Sequence, residues 1–214
     1  MPLSSVANLP RGHRTMLLAH RAMVRDLGRI ERTARELAVA PDPVRAKALG
    51  GYADKLALVI HHHHEGEDEF LWPRLRDAGA DRQALETLIA EHAALTDLLD
   101  DWHDSLANLS TDSATATRLA ELTSAVRDQL AGHTADEERE LLGRLAPSLD
   151  EQTWKAFETH MRTTAPLWTL RFMPAWLLSA ASPDDLVGVP ALPLARLFSG
   201  RLQRTQRAAF GTHY

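Results

Sequence analysis

The chain has no cysteine. That excludes disulfides, thiolate catalysis, cysteine-type zinc sites and iron–sulfur clusters. Strand signals are scarce too: β-branched residues seldom alternate with polar ones, and no Asn-Gly pair offers a hairpin turn. No apolar run is long enough for a membrane span. The best stretch, PLWTLRFMPAWLLSAA, is short, carries Arg171 and contains two prolines. The opening residues, MPLSSVANLPRGHRT, have no continuous apolar core, so no signal peptide is read and a cytoplasmic protein is expected. An excess of positive charge is also missing. The formal net charge of −5 gives no reason to expect nucleic acid as a partner. What is left is 214 residues, 44% hydrophobic and 25% charged, the composition of an ordinary soluble globule.

What the chain does have is helical periodicity. Residues 11–39 carry an apolar stripe of Met16, Leu17, His20, Val24, Leu27 and Ile30, and proline stops the helix at PDP. A second helix is predicted over 43–76, kinked near Pro73. A third spans 81–108, with Asp81 as N-cap and Leu85, Leu88, Ile89, His92, Leu95, Leu99, Trp102 and Leu106 on one side. After the polar linker NLSTDSAT, a fourth covers 113–145 with Leu119, Leu122, Val126, Leu130, His133, Leu141 and Leu145. The expected fold is all-α: an antiparallel up-down-up-down four-helix bundle over residues 1–147. Residues 148–214 form a C-terminal helical extension, beginning with a fifth helix in DEQTWKAFETHMR and ending in a basic helical stretch.

Eleven histidines are the compositional oddity, and four stand in a row in IHHHHEGEDEF, residues 60–70. A run of four cannot all face one way. Residues three, four or seven apart share a helix face, so His63 aligns with Leu56, Ile60, Glu67 and Phe70 on an apolar face. His61 and His62 align with polar residues and read as solvent-facing. His64 sits at the boundary, with Asp68, as a candidate outer partner of a ligand. Glu65, Asp68 and Glu69 read as a solvated face. The fourth helix repeats the device: His133 and Glu137, again four apart, lie on its apolar stripe, whereas Glu138 and Glu140 fall off it. The first and third helices add one inward histidine each, His20 and His92. His13, His103 and His160 find no place in this pattern.

Two carboxylates in an apolar core, with no Lys or Arg on the inner stripes, need a cation. Imidazole and carboxylate suit iron, zinc and manganese. Two glutamates able to bridge, with four terminal histidines, indicate two metal ions that keep room for an oxo or hydroxo bridge and an exogenous ligand.

The segments LLAHRAMVRDL, HHEGEDEFLWPRL, AEHAALTDLL and HTADEERELLGRL together resemble the hemerythrin-like (HHE cation-binding) domains, over about residues 11–146. The resemblance implies a four-helix bundle with a non-haem di-iron centre, and it places the ligands at His20, His63, Glu67, His92, His133 and Glu137. Two departures stand out. Oxygen-carrying hemerythrins have a second histidine one turn after the third-helix ligand, where this chain has Thr96. Some actinobacterial relatives have a tyrosine four residues after the second-helix glutamate, where this chain has Leu71. Both point to an open centre with four histidines, suited to a small oxidant: dioxygen, hydrogen peroxide or nitric oxide. Two other readings are a sensor that signals through the C-terminal extension, with Trp168, Trp176 and arginines contacting a partner or closing a homodimer, and a di-iron oxygenase of an organic substrate.

Overall fold

The protein is described from a computed structural model, over residues 11–107, 109, 112–140, 149–182, 185 and 192–211. Among these residues all regular structure is helical: α1 (Arg11–Val39), α2 (Pro43–Gly66), a π-helical turn (Glu67–Leu71), α3 (Trp72–Asp77), α4 (Arg82–Ala107), α5 (Ser113–Glu137), α6 (Glu151–Thr164), α7 (Thr169–Ala180) and α8 (Leu192–Phe210). No described helix is long and apolar enough to cross a membrane.

The boundaries follow from local chemistry. Asp42 caps α2 by accepting from the Val44 and Arg45 amides, with Pro43 in the first turn, where its missing N–H costs nothing. Asp81 caps α4 through the Gln83 and Ala84 amides, as its sequence position predicts. Asp112 and Asp150 do the same for α5 and α6. Helix α3 ends in a Schellman motif: the Gly79 amide bonds the Arg76 carbonyl and the Ala80 amide bonds the Leu75 carbonyl. Gly79 takes the left-handed φ of 78° that this closure requires.

One predicted element is broken where a kink was expected. The helix over 43–76 is α2, then a π turn, then α3. Pro73 has no N–H and its ring crowds the carbonyl four residues back, so the helix widens by a residue rather than bending at the proline itself. Beyond Glu137 the α5 segment also goes over to π winding, at residues 138–140. The first begins at the predicted ligand Glu67 and the second directly after the predicted ligand Glu137. Leu141 and Leu145 of the expected fourth-helix stripe lie outside the described residues.

Helix α1 packs against α5 and α2, and α4 packs against α5 and α2. The core between them holds Leu27, Ile30, Leu49, Leu56, Ile60, Leu95, Leu99, Trp102, Leu119, Val126 and Leu130, all buried. Trp102 donates to Thr123, which donates on to the Leu119 carbonyl, so each donor in this core is matched. A second apolar cluster forms around Trp72, Leu75, Leu85, Leu88, Trp154 and Phe157, where α6 crosses the end of α2. The crossing is close. A Cβ on Gly66 would stand 2.1 Å from Met161 Sδ.

The C-terminal helices pack on α1 and α2 and share their core. Trp176, Leu202, Ala209 and Phe210 are buried in the same cluster as Tyr52. The joint is polar at its centre. Asp26 of α1, fully buried, accepts from Tyr52 Oη at 2.5 Å, Trp176 Nε1 at 2.8 Å, Arg25 Nε at 2.8 Å and Arg29 at 3.1 Å. Gln206 of α8 donates to the Tyr52 hydroxyl at 3.2 Å. Arg45 of α2 bonds the Ala209 and Phe210 carbonyls, placing positive charge at the C-terminus of α8. The alternative sensor reading put Trp176 at a partner surface. It is instead committed inside its own chain, because its ring fills the core and its N–H is taken by Asp26.

Candidate metal centre

The six residues singled out by helical phase meet at one buried place. His20, His63, His92 and His133 are each nine-tenths or more buried, and Glu67 and Glu137 are fully so. The Nε2 atoms of His20 and His63 lie 3.0 Å apart, and those of His92 and His133 also lie 3.0 Å apart. Two donors each ~2.1 Å from one cation, at about a right angle, would be separated by ~3.0 Å. The glutamates stand between the two pairs. Glu67 presents Oε1 at 3.2 Å from His63 Nε2 and Oε2 at 3.6 Å from His92 Nε2. Glu137 Oε2 lies 3.3 Å from His20 Nε2 and 3.6 Å from His133 Nε2.

The cost of this arrangement points to its occupant. Neither oxygen of Glu67 or of Glu137 has a hydrogen-bond partner, and all four are buried. No Lys or Arg pairs with either carboxylate among the described residues. Burial and then the charge of Glu137 push the Glu67 carboxyl well above the ordinary range; burial also raises that of Glu137. The histidines respond in the opposite sense. Burial, with neighbouring imidazoles, lowers His63 and His64 well below the usual histidine value and His133 to about 3. His20 is the exception: burial opposes its charge, but the Glu137 and Glu138 carboxylates outweigh it and the net shift is upward. Imidazoles facing buried carboxylates at these separations make a donor set that could hold a metal cation.

Three histidines are aimed by acids that the reading by helical phase did not use. His92 Nδ1–H donates to Asp68 Oδ1 at 2.8 Å, His133 Nδ1–H to Glu91 Oε2 at 2.9 Å and His20 Nδ1–H to Glu138 Oε1 at 3.1 Å. An ionised carboxylate only accepts, so the proton sits on Nδ1 and the Nε2 lone pair faces inward. Asp68 is exposed and yet bonds the His92 ring, and Glu138 off the stripe is not idle. Each acid serves the histidine of a neighbouring helix, which a test of phase within one helix does not register. The available signal was adjacency: an acid directly after each ligand glutamate and directly before His92. Replacing Asp68 by Asn, Glu91 by Gln or Glu138 by Gln is expected to weaken metal binding about 10–100-fold each, read by competition against a chelator of known affinity.

The other histidines separate. His64 is buried, with its ring 4.5 Å from that of His92 and 5.2 Å from that of His133. His61 pairs with Glu65 on the outside. His62 is half-buried rather than exposed, bonded to Thr164 as α6 passes over it. His13 is buried edge-on to Trp154, away from the centre. His160 does have partners: it stacks on Phe70, near Glu69. His103 is exposed. Thr96 turns its hydroxyl to the His92 carbonyl at 2.9 Å, and Leu71 is packed beside Trp72 in the second apolar cluster. Neither offers a ligand atom.

A groove of about 660 Å³ between α4 and α5 leads to His133 from outside. Glu86, Glu91, Asp128 and Asp136 line it, so its field favours cations. No curated protein and no solved structure matches the chain. The family described as Hemerythrin HHE cation binding domain matches residues 11–145, the segment that holds all six candidate ligands. The chain belongs to the hemerythrin HHE cation-binding family.

Proposed function

We propose that this chain is a di-iron protein that binds or turns over a small oxidant: dioxygen, hydrogen peroxide or nitric oxide. One observation carries the reading: Glu67 presents one oxygen to each histidine pair, with Glu137 opposite it, so the site has the form of two cation positions sharing carboxylates. On this reading α1, α2, α4 and α5 form an antiparallel four-helix bundle, in agreement with their contacts between sequence neighbours and between first and last. Residues 1–147 make the metal-binding unit and 148–214 an extension that braces it. His20 and His63 would hold one iron and His92 and His133 the other, with Glu67 and Glu137 between them. Manganese or zinc would fit the same donors. Iron bound there supplies redox chemistry and exchangeable coordination positions.

The chain's own part is to keep the donors aimed and dry. Asp68, Glu91 and Glu138 hold three imidazoles in the tautomer that turns Nε2 inward. Trp72, with its ring 5.7 Å from that of His92, and Leu71 close the side of the site toward the second cluster. The acidic groove at His133 gives cations a path inward. Protein produced with ample iron is expected to hold two irons per chain and to show the near-ultraviolet charge-transfer bands of a bridged ferric pair. Those bands should change on adding peroxide or nitric oxide. Iron-free protein from such a preparation, with no uptake on reconstitution, would sink the reading. A spectrum that ignores both reagents would sink its oxidant half alone.

A further inference from the structure

We propose that His64 is a fifth histidine ligand, completing the set of His92 and His133 and making the two metal positions unequal. The inference rests on the di-metal reading above and adds a residue to it. A structural histidine is the rival explanation. Such a residue, when buried, spends its ring nitrogens on hydrogen bonds. His64 is 5% exposed and its Nε2 is buried with no partner. Around it the buried, unpartnered atoms are the four carboxylate oxygens of Glu67 and Glu137 and the Trp72 indole nitrogen, which has no lone pair for a metal; His13 Nε2 is also unpartnered but lies away from the centre, against Trp154. The nitrogen therefore behaves as the ligand atoms do and not as a satisfied core group.

Position supports the same assignment. One ligand atom from each of His64, His92 and His133 lies within 4.8 Å of the others, and the same holds for His20, His63, Glu67 and Glu137. The two groups divide the centre into two donor sets, with His64 in only one of them. The reason is helical geometry. His63 and His64 are about 100° apart around α2, so one faces α1 and His20 while the other turns toward α4 and α5. The fourth turn of α4 that might have supplied a donor here has Thr96, whose hydroxyl is used by the His92 carbonyl. His64 fills from α2 what α4 does not provide. Three nitrogens would then hold one ion and two the other, so exchangeable positions concentrate on the His20–His63 side.

Cobalt(II) titration of the metal-stripped full chain tests this, because each ion's ligand-field spectrum and affinity are read without any turnover. The wild-type chain is expected to take two ions. His64→Leu should weaken one of them at least about tenfold, since loss of an outer partner alone costs that much. It should change that ion's spectrum and leave the other as it was. Adding Thr96→His, one turn from His92, should restore the weakened ion, and His61→Leu should alter neither. His64→Gln, closer in polarity and size, takes the place of the leucine variant if that variant does not fold. Wild-type affinities and spectra for both ions in the His64 variants overturn the fifth ligand and leave the di-metal reading standing. Failure of the wild-type chain to bind any cobalt overturns both.

Discussion

Stripping the metal ions will lower the melting temperature of the loaded chain by about 10–20 °C. Each ion present at about 100 times its dissociation constant adds ~2.7 kcal/mol to the folded state, so two add ~5 kcal/mol. For a chain of this length, 1 kcal/mol moves the midpoint by about 2–4 °C. The stripped chain should then show an inversion: Glu67→Gln abolishes tight metal binding yet stabilises the metal-free fold, by about 1–3 kcal/mol at pH 8. The sign follows from the raised pKa of Glu67. A carboxyl whose folded pKa is raised contributes stability in acid and loses it as the pH rises through the folded value. The gain from the glutamine should therefore vanish below about pH 4.5, where the glutamate is protonated in both states. His63, His64 and His133 run the other way. Their lowered values contribute above about pH 6.5 and are lost as the pH falls toward the folded value, about 3 for His133. Differential scanning calorimetry of both proteins with chelator, across pH 4–8, checks this. A Glu67→Gln variant that melts below the stripped wild type at pH 8 would contradict it.

The candidate centre was legible because its six donor residues are inside and on phase. His20, His63, Glu67, His92 and His133 each sit three or four residues from a buried leucine or isoleucine, and Glu137 sits four from His133; a charged or titratable residue on an apolar stripe is conspicuous. The same criterion missed Asp68, Glu91 and Glu138, because an acid that reaches across to another helix stands at the edge of its own stripe. It also left His64 at a boundary. The boundary of α2 lies against α4 and α5, and pairwise helix orientation is not written in the spacing of a single helix. Thr96 and Leu71 led to a four-histidine expectation, and a fifth donor from the boundary of α2 is the proposal that the buried position of His64 adds. The π turn at Glu67–Leu71 escaped because Pro73 announces a disturbance without saying how the backbone absorbs it. Asp26 is the clearest miss. It lies off the apolar stripe of α1 among Arg25 and Arg29 and reads as surface, yet it is fully buried, because α7 and α8 cover a face that a four-helix reading leaves to solvent.

Asp26→Ala is accordingly expected to be the most damaging substitution away from the metal centre. It leaves the Tyr52 hydroxyl, the Trp176 indole N–H and two guanidinium groups without their shared acceptor. Removing one partner of a buried charged network costs about 3–5 kcal/mol, which lowers the melting midpoint by roughly 6–20 °C. Tyr52 reports the same network from the other side. Burial and the Asp26 charge hold its phenol well above the ordinary tyrosine value, so it donates and does not ionise. Trp176→Phe, which removes one hydrogen bond and keeps most of the ring, should cost only about 1 kcal/mol. Asp26→Asn should fall between the two, since its amide oxygen still accepts from Tyr52 and Trp176 while its NH2 faces the arginines. The damage should also be local. Asp26 lies six residues from His20, ~9 Å along α1, so the alanine variant is expected to keep two metal ions per chain at moderate temperature. Its α7 and α8 should be cut by protease well before α1. Equal unfolding midpoints for wild type and Asp26→Ala would show that the buried carboxylate does not hold the C-terminal helices to the metal-binding core. Loss of metal together with stability would show that the joint and the centre are one cooperative unit, with α1 as the rod between them.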